Sequence, residues 1–187
     1  MIFSDECRVE QYSKRRMLVR RHSGQRNMHK LVTKTVKYGC FTVMVWCAIK
    51  GYGTKLLCQC PPILNSESYM NIIEGSLLLM LGSSSVFMQD GVPCLTSKAT
   101  MSLIDHHKVC ILSDWPQQST DINIIENIWA KIKKNISRKH PANKNELWDL
   151  LKVEWSNIDT SHILQLYDSI PRRLQAVIKA KGPHTKY

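Results

Sequence analysis

The stretch VFMQDGVPC (Val86 to Cys94) places a short apolar segment directly before an acid and a turn. Its first residues predict a buried strand, and Gly91 and Pro93 end that strand just behind Asp90. A carboxylate at the end of a buried strand lies at a sheet edge, where α/β proteins commonly bind ligands. Asp90 is therefore a candidate ligand-binding residue, and an ordinary turn aspartate is the alternative.

Length and composition favour one folded domain over residues 1–187. Hydrophobic residues make up 43% and charged residues 22%, which is neither a disordered nor a membrane composition. The longest apolar run, near 77–81, is too short to span a bilayer, and the opening MIFSDECRVEQ lacks the cationic start and long apolar run of a signal peptide. We therefore expect an intracellular protein whose seven scattered cysteines are reduced.

The chain is strongly basic, with 26 Lys and Arg against 15 Asp and Glu and a formal net charge of +11. Such a charge indicates a polyanionic partner, first of all nucleic acid, with general solubility as the alternative. Two basic clusters in the sequence are suited to following one phosphate backbone. The first cluster comprises Lys14, Arg15, Arg16, Arg20, Arg21, Arg26 and Lys30, and the second comprises Lys131, Lys133, Lys134, Arg138 and Lys139.

The early half of the chain reads mainly as strands. MIFSD predicts a short first strand that ends on Asp5, and RMLVRR (16–21) predicts another. CFTVMVWCAIK (40–50) and TKLLCQC (54–60) predict a hairpin around a GYG turn. Further on, capping residues predict one helix after Pro62 and another that begins at Thr96 or Ser97. VFMQ (86–89) predicts a strand between these helices, and VCIL (109–112) predicts a strand after the second.

The late half reads as helices. Ile125, Ile128, Trp129, Ile132 and Ile136 recur at steps of three and four, which predicts an amphipathic helix. ELWDLLKVEWSNI and SHILQLYDSI predict two more helices, and Pro171 at a first-turn position predicts the start of a last one. Strands early and helices late favour a single α/β domain.

Three acids fall at the ends of predicted neighbouring elements: Asp5, Asp90 and Glu126, the last two separated by 126 − 90 = 36 positions. Carboxylate oxygens suit Mg²⁺, and bound ions neutralise acids that otherwise repel one another. Spacing alone is weak support, because the chain offers 15 acids. The alternatives are Asp105 inside a helix, Asp121 in a loop, and Glu6 on the opposite side of its strand from Asp5.

Five longer stretches carry a stronger signal. They are FSDE (3–6), VMVW (43–46), MQDGVPC (88–94), WPQQSTDINIIENIW (115–129) and IPRRLQAVIKAKGPHTKY (170–187). In this order they resemble the catalytic half of the mariner-type DDE transposases of the Tc/mariner superfamily. The resemblance covers essentially the whole chain, and its most specific part is WPQQSTDINIIENIW.

The resemblance implies a ribonuclease H-like α/β fold, a mixed sheet flanked by helices, here with its first strand truncated. It implies that Asp5, Asp90 and Glu126 are the first, second and third acids of a catalytic triad that binds two Mg²⁺ or Mn²⁺ ions. The implied activity is DNA cleavage and strand transfer in the nucleus, with a homodimer as one candidate assembly. Sequence-independent phosphate contacts are expected from Arg15, Arg16, Arg20, Arg21, Lys131, Lys133, Lys134, Arg138, Arg172 and Arg173.

The chain also departs from this family. Members usually carry Asn, His, Gly and two prolines at the positions held here by Gly91, Leu95, Cys47, Thr120 and Ile124. Members also carry a helix-turn-helix DNA-binding region ahead of the catalytic core, which we expect to be absent because Met1 lies four residues before Asp5. These departures favour a degenerate or domesticated remnant. The alternative is a catalytically inactive, co-opted module that binds DNA or a partner protein.

Overall fold

A computed structural model of the chain describes residues 1–11, 41–112, 115 and 119–180. The predicted strand at 16–21 and the whole first basic cluster lie outside the described residues, as do Pro116 and the tail after Ala180.

The described strands form one five-stranded mixed sheet in the order β3-β2-β1-β4-β5. The first three strands pair antiparallel, which confirms the predicted hairpin around GYG, and β4 and β5 run parallel to β1. Their bounds are β1 Ile2–Glu10, β2 Thr42–Lys50, β3 Lys55–Cys60, β4 Val86–Met88 and β5 Cys110–Ile111.

The sequence pattern predicted that the first strand ends at Asp5, but the strand continues to Glu10. It pairs with β2 over nine residues, from Ile2 opposite Lys50 to Glu10 opposite Thr42. The prediction was wrong because it took an acid as the end of a strand. Phe3, Cys7 and Val9 alternate on the face that also carries Asp5, and burial of these apolar side chains keeps the strand in the sheet.

Six α-helices in the described part of the chain cover both faces of the sheet. The predicted N-caps are confirmed, since Asn65 accepts a hydrogen bond from Ser68 N at 2.8 Å and Ser97 accepts one from Thr100 N at 3.2 Å. The bounds are α1 Ser66–Ile72, α2 Leu78–Met80, α3 Lys98–His106, α4 Ile125–Lys139, α5 Lys144–Ser156 and α6 Thr160–Ala180, with a π-helical turn Ile73–Leu77 joining α1 to α2.

Two apolar cores lie on opposite faces of the sheet. The first packs Phe3 and its neighbours on β1 and β2 against α4, α5 and α6, and it includes Trp129 and Trp155. The second packs Ile2 and Trp46 against α1 and α3. These three tryptophans are buried in the cores.

The last helix is continuous through Pro171, where the sequence predicted the start of a separate helix. Proline removes one backbone hydrogen bond from a helix interior, and such a loss breaks or kinks a helix that has no other support. Here Ile163 and Leu166 before the proline and Arg173 after it are all buried along one side of α6. This packing holds the two halves together.

Within the described ranges, we find no helix that combines the length and apolar character needed to cross a bilayer.

Candidate active site

Asp5 lies in the middle of β1, on the face covered by α4. Its side chain is 8% exposed, and its Oδ2 accepts a hydrogen bond from Trp129 Nε1 at 2.9 Å. The indole therefore fixes the orientation of the carboxylate and uses one of its oxygens. The sequence pattern did not predict this hydrogen bond, because it placed Trp129 only on the apolar side of a predicted helix.

Asp90 follows β4, which lies beside β1 in the parallel direction. The register pairs Phe3 with Met88, so Asp5 and Asp90 each lie two residues beyond a paired position. Ser4 Oγ donates to Met88 O at 2.8 Å, which keeps the two chain segments together at this level. The sheet itself therefore brings the first two acids to the same end of the β1–β4 pairing.

Glu126 is the second residue of α4, as the sequence predicted. Residues before and after Glu126 contact β1. Asn123, just before α4, donates through Nδ2 to Ser4 O at 3.4 Å, and Trp129 within α4 donates to Asp5. Trp129 lies three residues after Glu126, about one helical turn away on the same face. The third acid is thus placed over the segment of β1 that carries the first.

Electrostatics show that the three carboxylates share one region. The pKa of Asp5 is raised from its ordinary value of 3.8 to about 7, first by burial and then by the negative charges of Glu126 and Asp90, while the Trp129 hydrogen bond lowers it. The pKa of Asp90 is also raised, because burial disfavours its charged form. The charges of Glu126 and Asp90 therefore disfavour ionisation of Asp5, and a bound cation would relieve that repulsion.

A fourth carboxylate lies close by on the other face of β1. Glu6 is buried enough that its pKa rises from 4.5 to about 8, with Asp5 and Asp90 adding to the effect of burial. Among the described residues its Oε1 has no hydrogen-bond partner. Glu6 also raises the pKa of Tyr69, a residue of the second core, so it points away from the α4 side as the alternation predicted.

The donor set fits hard divalent cations, although the described side chains do not form a ready-made cage. Among the residues that the structure describes, no group of three or more His, Cys, Asp and Glu side chains could hold a metal ion as placed. Apart from burial, the groups that most raise the pKa of Asp5 are the carboxylates of Glu126 and Asp90. Oxygen donors with mutual repulsion are the chemistry that Mg²⁺ or Mn²⁺ neutralises.

The predicted phosphate contacts on α4 are exposed, and two basic residues of this helix interact with neighbouring elements. Lys133 lies two helical turns after Glu126 and interacts with the Cys7 thiol, whose pKa is raised to about 11 mainly by burial. Lys139, in contrast, forms a 2.8 Å ion pair with Glu154 on α5. The other exposed candidates are Lys131, Lys134, Arg138 and, on α6, Arg172.

Arg173 is buried, with 3% of its surface exposed, so its prediction as a phosphate contact was wrong. Its Nε donates to Ser169 Oγ at 2.7 Å, its Nη1 to Asp121 O at 3.1 Å, and its Nη2 to Asn127 Oδ1 at 2.8 Å. The sequence pattern did not distinguish it from the exposed Arg172, because only the rotation of a continuous α6 turns one arginine inward.

The sheet and its acids define the class: an α/β protein with a mixed sheet and an acidic cluster formed by β1, β4 and α4. The chain belongs to the DDE superfamily endonucleases, whose family model matches residues 1–150. It is 36% identical to the Transposable element Tc1 transposase of Caenorhabditis elegans, over 100% of this chain and 70% of that protein. It is 34% identical to the Tcb2 transposase of Caenorhabditis briggsae with the same coverage.

Solved structures confirm the ribonuclease H-like fold that the resemblance implied. The chain matches Mos1 transposase in a pre-cleavage transpososome with a TM-score of 0.81 at 12% identity, over 99% of this chain. It spans 56% of that Mos1 chain, little more than half. The isolated catalytic domain of Mos1 mariner transposase matches with a TM-score of 0.65 at 12% identity, over 78% of this chain and 76% of that one.

Proposed function

We propose that this chain supplies the catalytic acids for transposase-type DNA cleavage and strand transfer. The observation that supports the proposal is that Asp90, after β4, and Glu126, on α4, are near enough to Asp5 on β1 for their charges to raise its pKa. Membership of the DDE endonuclease family and likeness to transposases support it.

In this proposal Asp5, Asp90 and Glu126 would hold the two divalent ions. Related Mos1 paired-end complexes have been solved with Mg and with Mn, and we infer the same preference here. When bound, such ions activate the attacking oxygen and stabilise the leaving oxygen of an in-line phosphoryl transfer.

The chain's own residues would prepare this site. The Trp129 indole donates to Oδ2 of Asp5 and so orients the carboxylate. The ammonium of Lys133, close to Cys7 and on the Glu126 side of α4, would attract a DNA phosphate toward the acids. Burial of Asp5 excludes water and strengthens its hydrogen bond with Trp129.

We further infer that the substrate is DNA held through its phosphates and that the protein acts in the nucleus. The net charge of +11 supports a polyanionic substrate. The Mos1 neighbours are paired-end and strand-transfer complexes, which supports a homodimer.

Nicking of supercoiled plasmid in Mn²⁺ tests the proposal. We expect the purified chain to convert supercoiled to open-circular DNA, and Asp90→Asn and Glu126→Gln to reduce the rate at least a hundredfold, because each removes a ligand charge. Asp105→Asn is the matched control, since Asp105 is an exposed acid on α3. It should nick at the parent rate.

Equal activity in all four proteins would overturn the assignment of the acids and point to a contaminating nuclease. Absence of nicking in all of them, with plasmid binding retained, would instead favour the inactive DNA-binding module.

A further inference from the structure

The start of α4, which carries Glu126, is held by residues outside the helix. Its N-cap residue is Ile124, and no side chain at that position caps the helix. Asn123 accepts a hydrogen bond from Ile125 N at 3.1 Å and donates to Ser4 O at 3.4 Å, which attaches the segment to β1. A further element also contacts this segment.

That element is α6, through Arg173. The guanidinium reaches the backbone of Asp121, in the turn that precedes α4, and the side chain of Asn127, the residue after Glu126. Its third nitrogen bonds to Ser169 on its own helix. Two of these contacts therefore join α6 to residues before and after Glu126, and the third fixes the guanidinium on its own helix.

An arginine is suited to this arrangement. The planar guanidinium presents its donors at fixed angles, so three simultaneous contacts define a position, whereas a lysine ammonium has one nitrogen on a flexible chain. Burying a charge is costly unless it is well hydrogen-bonded, and a hydrophobic residue would fill the same space without that cost. The buried cation is therefore explained better by positioning than by packing.

We propose that Arg173, on α6, is a positioning residue that holds Glu126 in place for metal binding. The inference rests on the proposed function, because it assigns Arg173 a role at the same acidic site. It touches neither substrate nor metal in this role and acts through Asn127 and the Asp121 backbone.

The test compares Arg173→Lys with Lys179→Arg, a charge-conserving change at an exposed residue of the same helix. We expect Arg173→Lys to raise the Mn²⁺ concentration for half-maximal nicking at least tenfold, with plasmid affinity unchanged. The Mn²⁺-induced rise in Tm should need the same higher concentration, and this readout does not depend on turnover. Lys179→Arg should match the parent in both measurements.

Amide hydrogen exchange provides a readout of position without metal. In Arg173→Lys the amides of residues 121–127 should exchange at least tenfold faster than in the parent, while those of β1 and β2 stay protected. Asn127→Ala, which removes one acceptor of the clamp, should reproduce this local change and keeps the test open if an arginine variant folds poorly.

The outcomes separate the two proposals. Parent-like exchange and parent-like Mn²⁺ dependence in Arg173→Lys, with Glu126→Gln inactive, would overturn the role of Arg173 and leave the proposed function standing. A parent protein with neither nicking nor a Mn²⁺ effect on Tm would overturn the proposed function. If amide exchange in Arg173→Lys were faster while the parent showed neither effect, Arg173 would only stabilise the segment, and its positioning role would be overturned.

Discussion

At the scale of single residues, Trp129 links the core to the acidic cluster. Its ring packs on Trp155, with centroids 5.7 Å apart, while its Nε1 donates to Asp5. One side chain therefore contributes both to stability and to the orientation of the first acid. Sequence periodicity predicted the first role but not the second, because a hydrogen bond between residues 124 positions apart leaves no local pattern.

Trp129→Phe should weaken metal binding more than it weakens the fold. Hydrogen bonds to charged groups contribute about 1.5–3 kcal/mol, so we expect half-maximal nicking to need roughly tenfold or more Mn²⁺ at pH 7. The difference in Mn²⁺ requirement between variant and parent should shrink at higher pH. Without this hydrogen bond the pKa of Asp5 rises further, so the variant needs a higher pH to ionise Asp5. Nicking rates over a Mn²⁺ series at two pH values measure both effects.

Trp155→Phe is the control for Trp129→Phe. Trp155 is in the same core, but among the described residues its Nε1 has no hydrogen-bond partner, so the change removes ring area without removing a contact to an acid. An equal shift in Mn²⁺ dependence for both variants would show that packing, and not the Asp5 hydrogen bond, controls the site.

At the scale of elements, the turn between β2 and β3 supports the start of α6. Gly53 has a φ of +86°, and a Cβ added there would lie 2.5 Å from Thr160 Oγ1 and 2.6 Å from its Cγ2. The hairpin and α6 therefore touch at a point where only glycine fits. Since α6 also carries Arg173, this junction helps to set the helix that reaches the Glu126 segment.

Gly53→Ala should destabilise the fold, since it adds a clash to an unfavourable backbone conformation. Overpacking typically costs about 1–3 kcal/mol, which for a chain of this size lowers Tm by about 2–4 °C for each kcal/mol. Gly51→Ala is the matched control, because a Cβ there meets nothing within 4 Å. Thermal melts of the two variants showing the same Tm would contradict the contact with Thr160.

Elements with a local signal were predictable, and those stabilised by distant partners were not. The hairpin, the N-caps Asn65 and Ser97, and the apolar side of α4 depend on residues within a few positions. The full length of β1 depends on pairing with β2, and the continuity of α6 depends on burial on both sides of Pro171. The three acids were predicted through family resemblance, whereas the contacts of the buried Arg173 could be found only in three dimensions.

At the scale of the whole molecule, a chain of net positive charge contains a cluster of buried acids. The formal net charge is +11, yet burial and neighbouring carboxylates raise the pKa of Asp5 to about 7 and that of Glu6 to about 8. The net positive charge suits a polyanion, whereas the cluster carries a cost whenever its acids ionise without a cation. Stability should therefore depend on pH and on divalent ions together.

In metal-free buffer the fold should lose stability as pH rises from about 4 to 8. Both acids have folded pKa values above their ordinary values of 3.8 and 4.5, so in this window the folded state holds more protons than the unfolded state. A tenfold difference in proton affinity corresponds to about 1.4 kcal/mol, and we expect Tm to fall by roughly 5 °C or more between pH 5.5 and 8.5. Asp5→Asn and Glu6→Gln should each flatten this dependence, while Mn²⁺ should raise Tm most at pH 8.5, where the carboxylates are free to bind it. A parent Tm that rises over this pH range, or a Mn²⁺ effect that is largest at pH 5.5, would contradict the electrostatic description of the cluster.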